Sequence, residues 1–158
     1  MTDIRTIEDK RMRKNREYVF LSGPVKYESD GGHSWRDEVY RYSKNCDWYL
    51  RVIDPTAYFS YDWKDEFQQT DRQIRDFYFQ AIRISTVVLV NLSGTNSSIG
   101  TGMEVQYAVD HEIPVIGFGT EDVYPWIKDS CTVVFDDLET ALGYITTYYD
   151  FDFGEEDL

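Results

Sequence analysis

Apolar and polar positions along this chain follow two periods in alternation. Glu17 to Ser22 (EYVFLS) is a short apolar run closed by Gly23-Pro24, and reads as a first strand. From Ser34 to Asp47, Trp35, Val39, Tyr42 and Cys46 recur at i, i+4, i+7 and i+11, one face of a helix. Leu50 to Ile53 is a second strand, stopped by Asp54-Pro55, and the aromatic stretch from Tyr58 to Glu66 reads as a loop. Thr70 and Gln73 have the spacing of a capping box, and Ile74, Phe77, Tyr78, Ala81 and Ile82 keep helical spacing up to Ile84. Thr86 to Leu92 is almost wholly apolar, as a strand covered on both faces must be. A small-residue segment and a helix carrying Glu104 follow, then strands at Ile113 to Phe118 and Thr132 to Phe135. Asp136 or Asp137 caps a last helix, whose face is Leu138, Ala141, Leu142, Ile145 and Tyr149.

Strands alternating with helices predict an α/β fold with a parallel sheet and helices on both faces. Five strands fit a flavodoxin-like three-layer sandwich of order 2-1-3-4-5, which binds ligands at the carboxyl ends of strands 1 and 3. The loops expected to meet there are Ser22-Gly23-Pro24 and Gly94 to Gly102, the two glycine-bearing segments. The expected division is a charged segment at 1–16, one domain at 17–149 and an acidic tail at 150–158, with no internal repeat.

Composition narrows the class. The chain has 158 residues, enough for one self-sufficient core, and a net charge of −13. Such a charge repels phosphate backbones and argues against nucleic-acid binding. No apolar run approaches the roughly 18 residues of a membrane span, and Met1 to Glu17 has no apolar signal core. Cys46 and Cys131 lack metal-ligand spacing and read as reduced, partly buried thiols, which points to the cytoplasm. His33 and His111 are isolated, so neither a metal site nor a Ser-His-Asp triad is expected.

The chemistry concentrates in Ser97-Ser98-Ile99-Gly100-Thr101-Gly102-Met103-Glu104. This reads as a loop whose serine hydroxyls and amides could hold a hydroxyl or a phosphate, followed by a helix with Glu104 in its first turn. The positive end of the helix dipole there would favour the ionised carboxylate. Gly23, Gly100 and Gly102 would let the backbone approach a ligand. The spacing matches neither a Walker A loop nor a dinucleotide fingerprint, and no cofactor is called for. On position alone, supporting its own helix is the simpler role for Glu104. An ionised Glu beside a sugar-sized pocket can also attack an anomeric carbon.

These segments together resemble the nucleoside 2-deoxyribosyltransferase family from about Tyr18 to Tyr149. FLSGP is similar to the family's Y-L-A-G-P, and VIDPTAYF to its second-strand segment. VNL, SIGTGMEVQYA and IPVIGFG, within Val87 to Gly117, follow its strand, helix start and next strand. Tyr124-Pro125-Trp126 and Cys131 to Phe135 resemble the ending of a bacterial and phage branch. The resemblance implies a flavodoxin-like fold, a retaining mechanism with Glu104 as nucleophile, and homo-oligomers whose neighbours complete each other's sites. It implies a nucleoside or nucleotide substrate held near Phe20, Gly23, Pro24, Tyr78 and Asn91, with Ser98, Gly100 and Gly102 opposite.

Three departures set this chain apart. The family's first-strand Tyr aligns with Phe20. Its acid-base Asp aligns with Tyr78, leaving Asp76, about 200° round the helix, as the acid-base candidate, with Tyr78 itself as the alternative proton source. Ser98 stands where nucleoside-using members carry Asp, as in the branch that hydrolyses nucleoside 5′-monophosphates. The net charge of −13 weighs the other way on a phosphate. Transfer to a base, hydrolysis, and a nucleotide-binding module that has lost its chemistry all stay open.

Overall fold

The computed structural model describes residues 18–25, 30–58, 67 and 70–151. The charged segment 1–16, the aromatic stretch 59–66 and residues 152–158 of the acidic tail lie outside the described residues.

Five strands form one parallel sheet: β1 (Tyr18–Ser22), β2 (Arg51–Ile53), β3 (Ser85–Asn91), β4 (Val115–Phe118) and β5 (Val133–Phe135). Their spatial order is β2-β1-β3-β4-β5, the flavodoxin-like order that the alternating pattern predicts. The helices are α1 (His33–Asn45), α2 (Asp71–Arg83), α3 (Ile99–Asp110), α4 (Pro125–Asp129) and α5 (Leu138–Tyr148).

Alternation along the strands splits the core into two layers. Phe20, Val88 and Val90 pack against Ile74, Tyr78 and Ile82 of α2, Val105 and Ala108 of α3, and Ile127 of α4. Val19, Leu21, Val87 and Leu89 pack on the other face against Val39 of α1 and Leu138, Ala141, Leu142 and Ile145 of α5. Each fully buried aliphatic side chain contributes about 1.5–3 kcal/mol to holding these layers together.

Local signals fix the helix ends. At α2 the capping box forms: the Gln73 amide donates to Thr70 Oγ1 at 3.3 Å and the Thr70 amide to Gln73 Oε1 at 2.7 Å. Asp137, one of the two expected caps, accepts from the Thr140 amide at 2.8 Å. Helix α1 keeps most of its expected face: Val39 is buried in the core layer and Trp35 and Tyr42 pack against it. Arg36 and Ser43 are buried beside that stripe, and Cys46, its expected last member, lies exposed beyond the last turn. A guanidinium with enough partners is buried beside an apolar stripe, at a position that periodicity counts as polar.

Candidate active site

The carboxyl ends of β1 and β3 meet at the point where the strand order reverses. Ser22 ends β1 in register with Val90, and Asn91 follows on β3. Gly23 is required there by close approach. A Cβ on it would stand 3.1 Å from Asn91 Cβ and 3.3 Å from Trp35 Cζ2. Pro24, next in the chain, is buried, and its carbonyl lies against Gly32 at the start of α1.

Glu104 reaches this point from α3, but not from the first turn. The helix begins at Ile99, so Glu104 is the sixth helical residue. The reason is the cap. Ser98 Oγ accepts from the Thr101 amide at 3.3 Å and shares a 2.7 Å hydrogen bond with Thr101 Oγ1. The helix therefore starts ahead of Gly100 and Gly102. Both are helical, and neither has positive φ. Thr95 anchors the preceding turn, donating to the Leu92 carbonyl at 2.6 Å and accepting from the Tyr124 amide at 2.9 Å.

Thr101, Val105 and Ala108 are the buried residues of α3, and Glu104 falls on their stripe. Its carboxylate meets the end of β1, where the wholly buried Ser22 donates from Oγ to Glu104 Oε2 at 3.0 Å. Burial raises the Glu104 carboxyl from an ordinary 4.5 to about 7, against the Ser22 hydrogen bond and the positive charge of Arg36, which both lower it. Desolvation thus outweighs the dipole effect expected to favour the ionised carboxylate.

Arg36 is a second buried charge at this edge, missed in the sequence. It donates to the Gly32 carbonyl at 2.7 Å and the Gly23 carbonyl at 3.1 Å, and its Nε lies 3.6 Å from Asp54 Oδ1. It ties the loop after β1 to the start of α1 and the end of β2. Asp54 also accepts from the Thr56 amide and hydroxyl, at 3.0 and 2.6 Å.

The expected site residues separate into groups. Phe20 and Tyr78 come together beneath the site, their rings 6.1 Å apart edge to face, and the Tyr78 hydroxyl donates to the Pro55 carbonyl at 3.4 Å. Gly23 and Asn91 meet at the reversal point. Asp76 does not join them. It is exposed on α2, with Arg72 Nε at 3.5 Å and Arg75 Nε at 3.8 Å. Ser98 and Gly102 open onto a groove of about 510 Å³ between α3 and α4, which Glu104 does not line. Its walls include Ile99, Met103, Tyr124 and Trp126, with Ile99 84% and Trp126 76% exposed.

No protein-family model and no curated protein sequence matches the chain. Solved structures do. A 2-deoxyribosyltransferase from Bacillus psychrosaccharolyticus superposes with a TM-score of 0.62 at 17% identity, over 85% of this chain and 93% of that one. One from Leishmania mexicana gives 0.61 at 19% identity, over 84% and 98%. The chain has the 2-deoxyribosyltransferase fold. A CMP N-glycosidase from Clostridium botulinum shares it with a TM-score of 0.52 at 16% identity, over 83% of this chain and 98% of that one. In this fold the described residues place Ser22 and Glu104 at the sheet reversal, where ligands of open α/β sheets bind.

Proposed function

We propose that the protein is a cytoplasmic enzyme that cleaves the N-glycosidic bond of a (deoxy)nucleoside or its 5′-monophosphate through a glycosyl ester on Glu104. The observation that carries this reading is the partly buried Glu104 carboxylate, held by Ser22 at the sheet reversal of a deoxyribosyltransferase fold. Ionised Glu104 attacks C1′ of the sugar while the base departs with the electron pair of the broken C–N bond. Another base or water then attacks C1′ from the vacated side and restores the carboxylate.

The site suits that task electrostatically. A carboxyl titrating near 7 is a stronger nucleophile, once ionised, than one titrating at 4.5, and its ionised form is available near neutral pH. Ser98 carries no negative charge and is occupied as a helix cap, so it neither holds a sugar hydroxyl by charge nor repels a phosphate. The reading gives Asp76 no part in proton transfer.

The position of Asp76 favours one second reading, a nucleotide-binding module of the same fold with little or no turnover. The two readings separate in one experiment. Wild-type and Glu104→Gln proteins are incubated with deoxynucleosides and their 5′-monophosphates, with and without an acceptor base, and free base is followed by chromatography. The enzyme reading expects Glu104-dependent release or exchange, lowered on the order of 10³-fold in the variant. Tight calorimetric binding with no turnover of any compound would replace it with the module.

We also propose that the protein self-associates through the apolar groove between α3 and α4. Its large exposed side chains, Ile99, Met103, Tyr124 and Trp126, are of the kind that subunit contacts cover. Sedimentation showing a monomer at every concentration would end that proposal.

A further inference from the structure

The buried Ser22 hydroxyl is the one side-chain donor that the described structure places on the Glu104 carboxylate, 3.0 Å from Oε2. We propose that Ser22 is the positioning residue of the Glu104 nucleophile, binding Oε2 throughout the reaction so that Oε1 is the atom that attacks. The inference rests on the glycosyl-ester reading and adds to it the residue that orients the attacking group.

Four features of the geometry support it. Ser22 is the last residue of β1 and has no exposed surface, so water does not compete for its hydroxyl. The alternation of β1 puts Ser22 on the same face as Phe20, the face against which α3 packs. Phe20, aligned with the tyrosine of the resembled family, carries no hydroxyl and is spent on the ring contact with Tyr78. The hydroxyl that meets the carboxylate therefore comes from two residues further along the same strand. No hydrogen bond to Oε1 occurs among the described residues, which leaves that oxygen available.

The bond bookkeeping is simple. Oε1 forms a bond to C1′ as the C1′–N bond breaks. The base takes the electron pair of that bond and a proton from water. Glu104 passes from carboxylate to ester, with Oε2 becoming the ester carbonyl oxygen. Ser22 keeps its own proton and donates to Oε2 in both states. When the acceptor attacks C1′, the C1′–Oε1 bond breaks and the carboxylate returns to the same hydrogen bond. A carboxylate free to rotate would present either oxygen and lose that alignment.

The test uses Ser22→Ala in the full-length protein, with the Glu104 side-chain carboxyl followed by ¹³C NMR from pH 4 to 9 and its signal assigned by loss in Glu104→Gln. Arg36 is unchanged in both proteins, so its charge does not enter the difference. Removing a hydrogen bond to the charged form moves the titration midpoint upward, by about one unit. Base release at saturating substrate falls about 10- to 100-fold, the worth of one hydrogen bond to a charged group. KM changes little, and the acid limb of the rate profile moves up with the midpoint. An active wild type whose Ser22→Ala variant keeps both midpoint and rate overturns this inference and leaves the Glu104 reading standing. A wild type inert toward every nucleoside and nucleotide overturns both, and a midpoint that still moves in the variant would then identify Ser22 as a structural partner only.

Discussion

Arg36 and Glu104 are both charged residues drawn in at the carboxyl edge of the sheet, on opposite sides of β1. Arg36 comes from α1, on the layer shared with α5. Glu104 comes from α3, on the layer shared with α2. Arg36 has two backbone carbonyls and the Asp54 carboxylate around it. Glu104 has one hydroxyl. The difference sets their roles. A buried guanidinium with that many acceptors stays charged and holds three segments together. A partly buried carboxylate with a single donor is under-compensated, titrates near neutrality and is available for chemistry.

The comparison breaks first at Arg36. Arg36→Met keeps the length of the side chain but leaves Asp54 and the Gly23 and Gly32 carbonyls facing an apolar group. Removing one partner of a buried pair costs about 3–5 kcal/mol, and Asp54 is partly exposed, which puts the expected loss near the lower end. Urea unfolding at pH 7 measures it. A loss below about 1 kcal/mol would mean that water and the loops replace the guanidinium, and that the two charges do not differ in the way argued.

Glu104→Gln tests the other half and has the opposite sign. The folded carboxyl titrates near 7 and the unfolded one near 4.5, so between those values the native state holds a proton that the unfolded chain has lost. The contribution of Glu104 to stability is therefore full below about pH 4.5, declines as pH rises, and levels off above about 7. Glutamine has no such titration and can still accept from Ser22. The variant is expected to gain up to about 3 kcal/mol over wild type at pH 8 and nothing near pH 4. Thermal unfolding across that range checks it. A difference that is flat with pH would show that the carboxylate is adequately solvated in the native protein.

Much of the frame is legible in the sequence. β3 is a run of valines and leucine, long enough and apolar enough to be central, and the α2 capping box formed as its Thr70 and Gln73 spacing indicates. Glu104 stood out by its neighbours. The features that were not legible depend on distance or on partners. Ser22 lies 82 positions from Glu104, and only the alternation of β1 and the Thr101-Val105-Ala108 stripe of α3, set side by side, bring them together. Arg36 was hidden because periodicity counts arginine as polar, although its acceptors are backbone carbonyls that no pattern reveals. Gly100 and Gly102 looked like loop residues because propensity penalises glycine in a helix, and the Ser98 cap overrides that local cost. Helix α4 has only five residues, too few for a period to show, and Pro125 at its start is its one signal.

Asp76 gives the smallest expected effect and the sharpest contrast with Glu104. The two are the acidic residues expected at the site, and the structure treats them oppositely. Asp76 sits 59% exposed on α2 between Arg72 and Arg75, whereas Tyr78, two residues on and about 200° round the helix, is the one that turns inward. Exposed ion pairs of this kind are worth about 0–1 kcal/mol. Asp76→Asn should therefore shift stability by about 0.5 kcal/mol or less and leave the rate and pH profile of base release unchanged. If that variant instead lost the basic limb of the rate profile, α2 would have to turn toward the ligand when one binds. Asp76 would then supply the proton that the departing base takes from water in the mechanism above. An unchanged profile would leave Glu104 as the one carboxylate of the expected pair that the reaction uses.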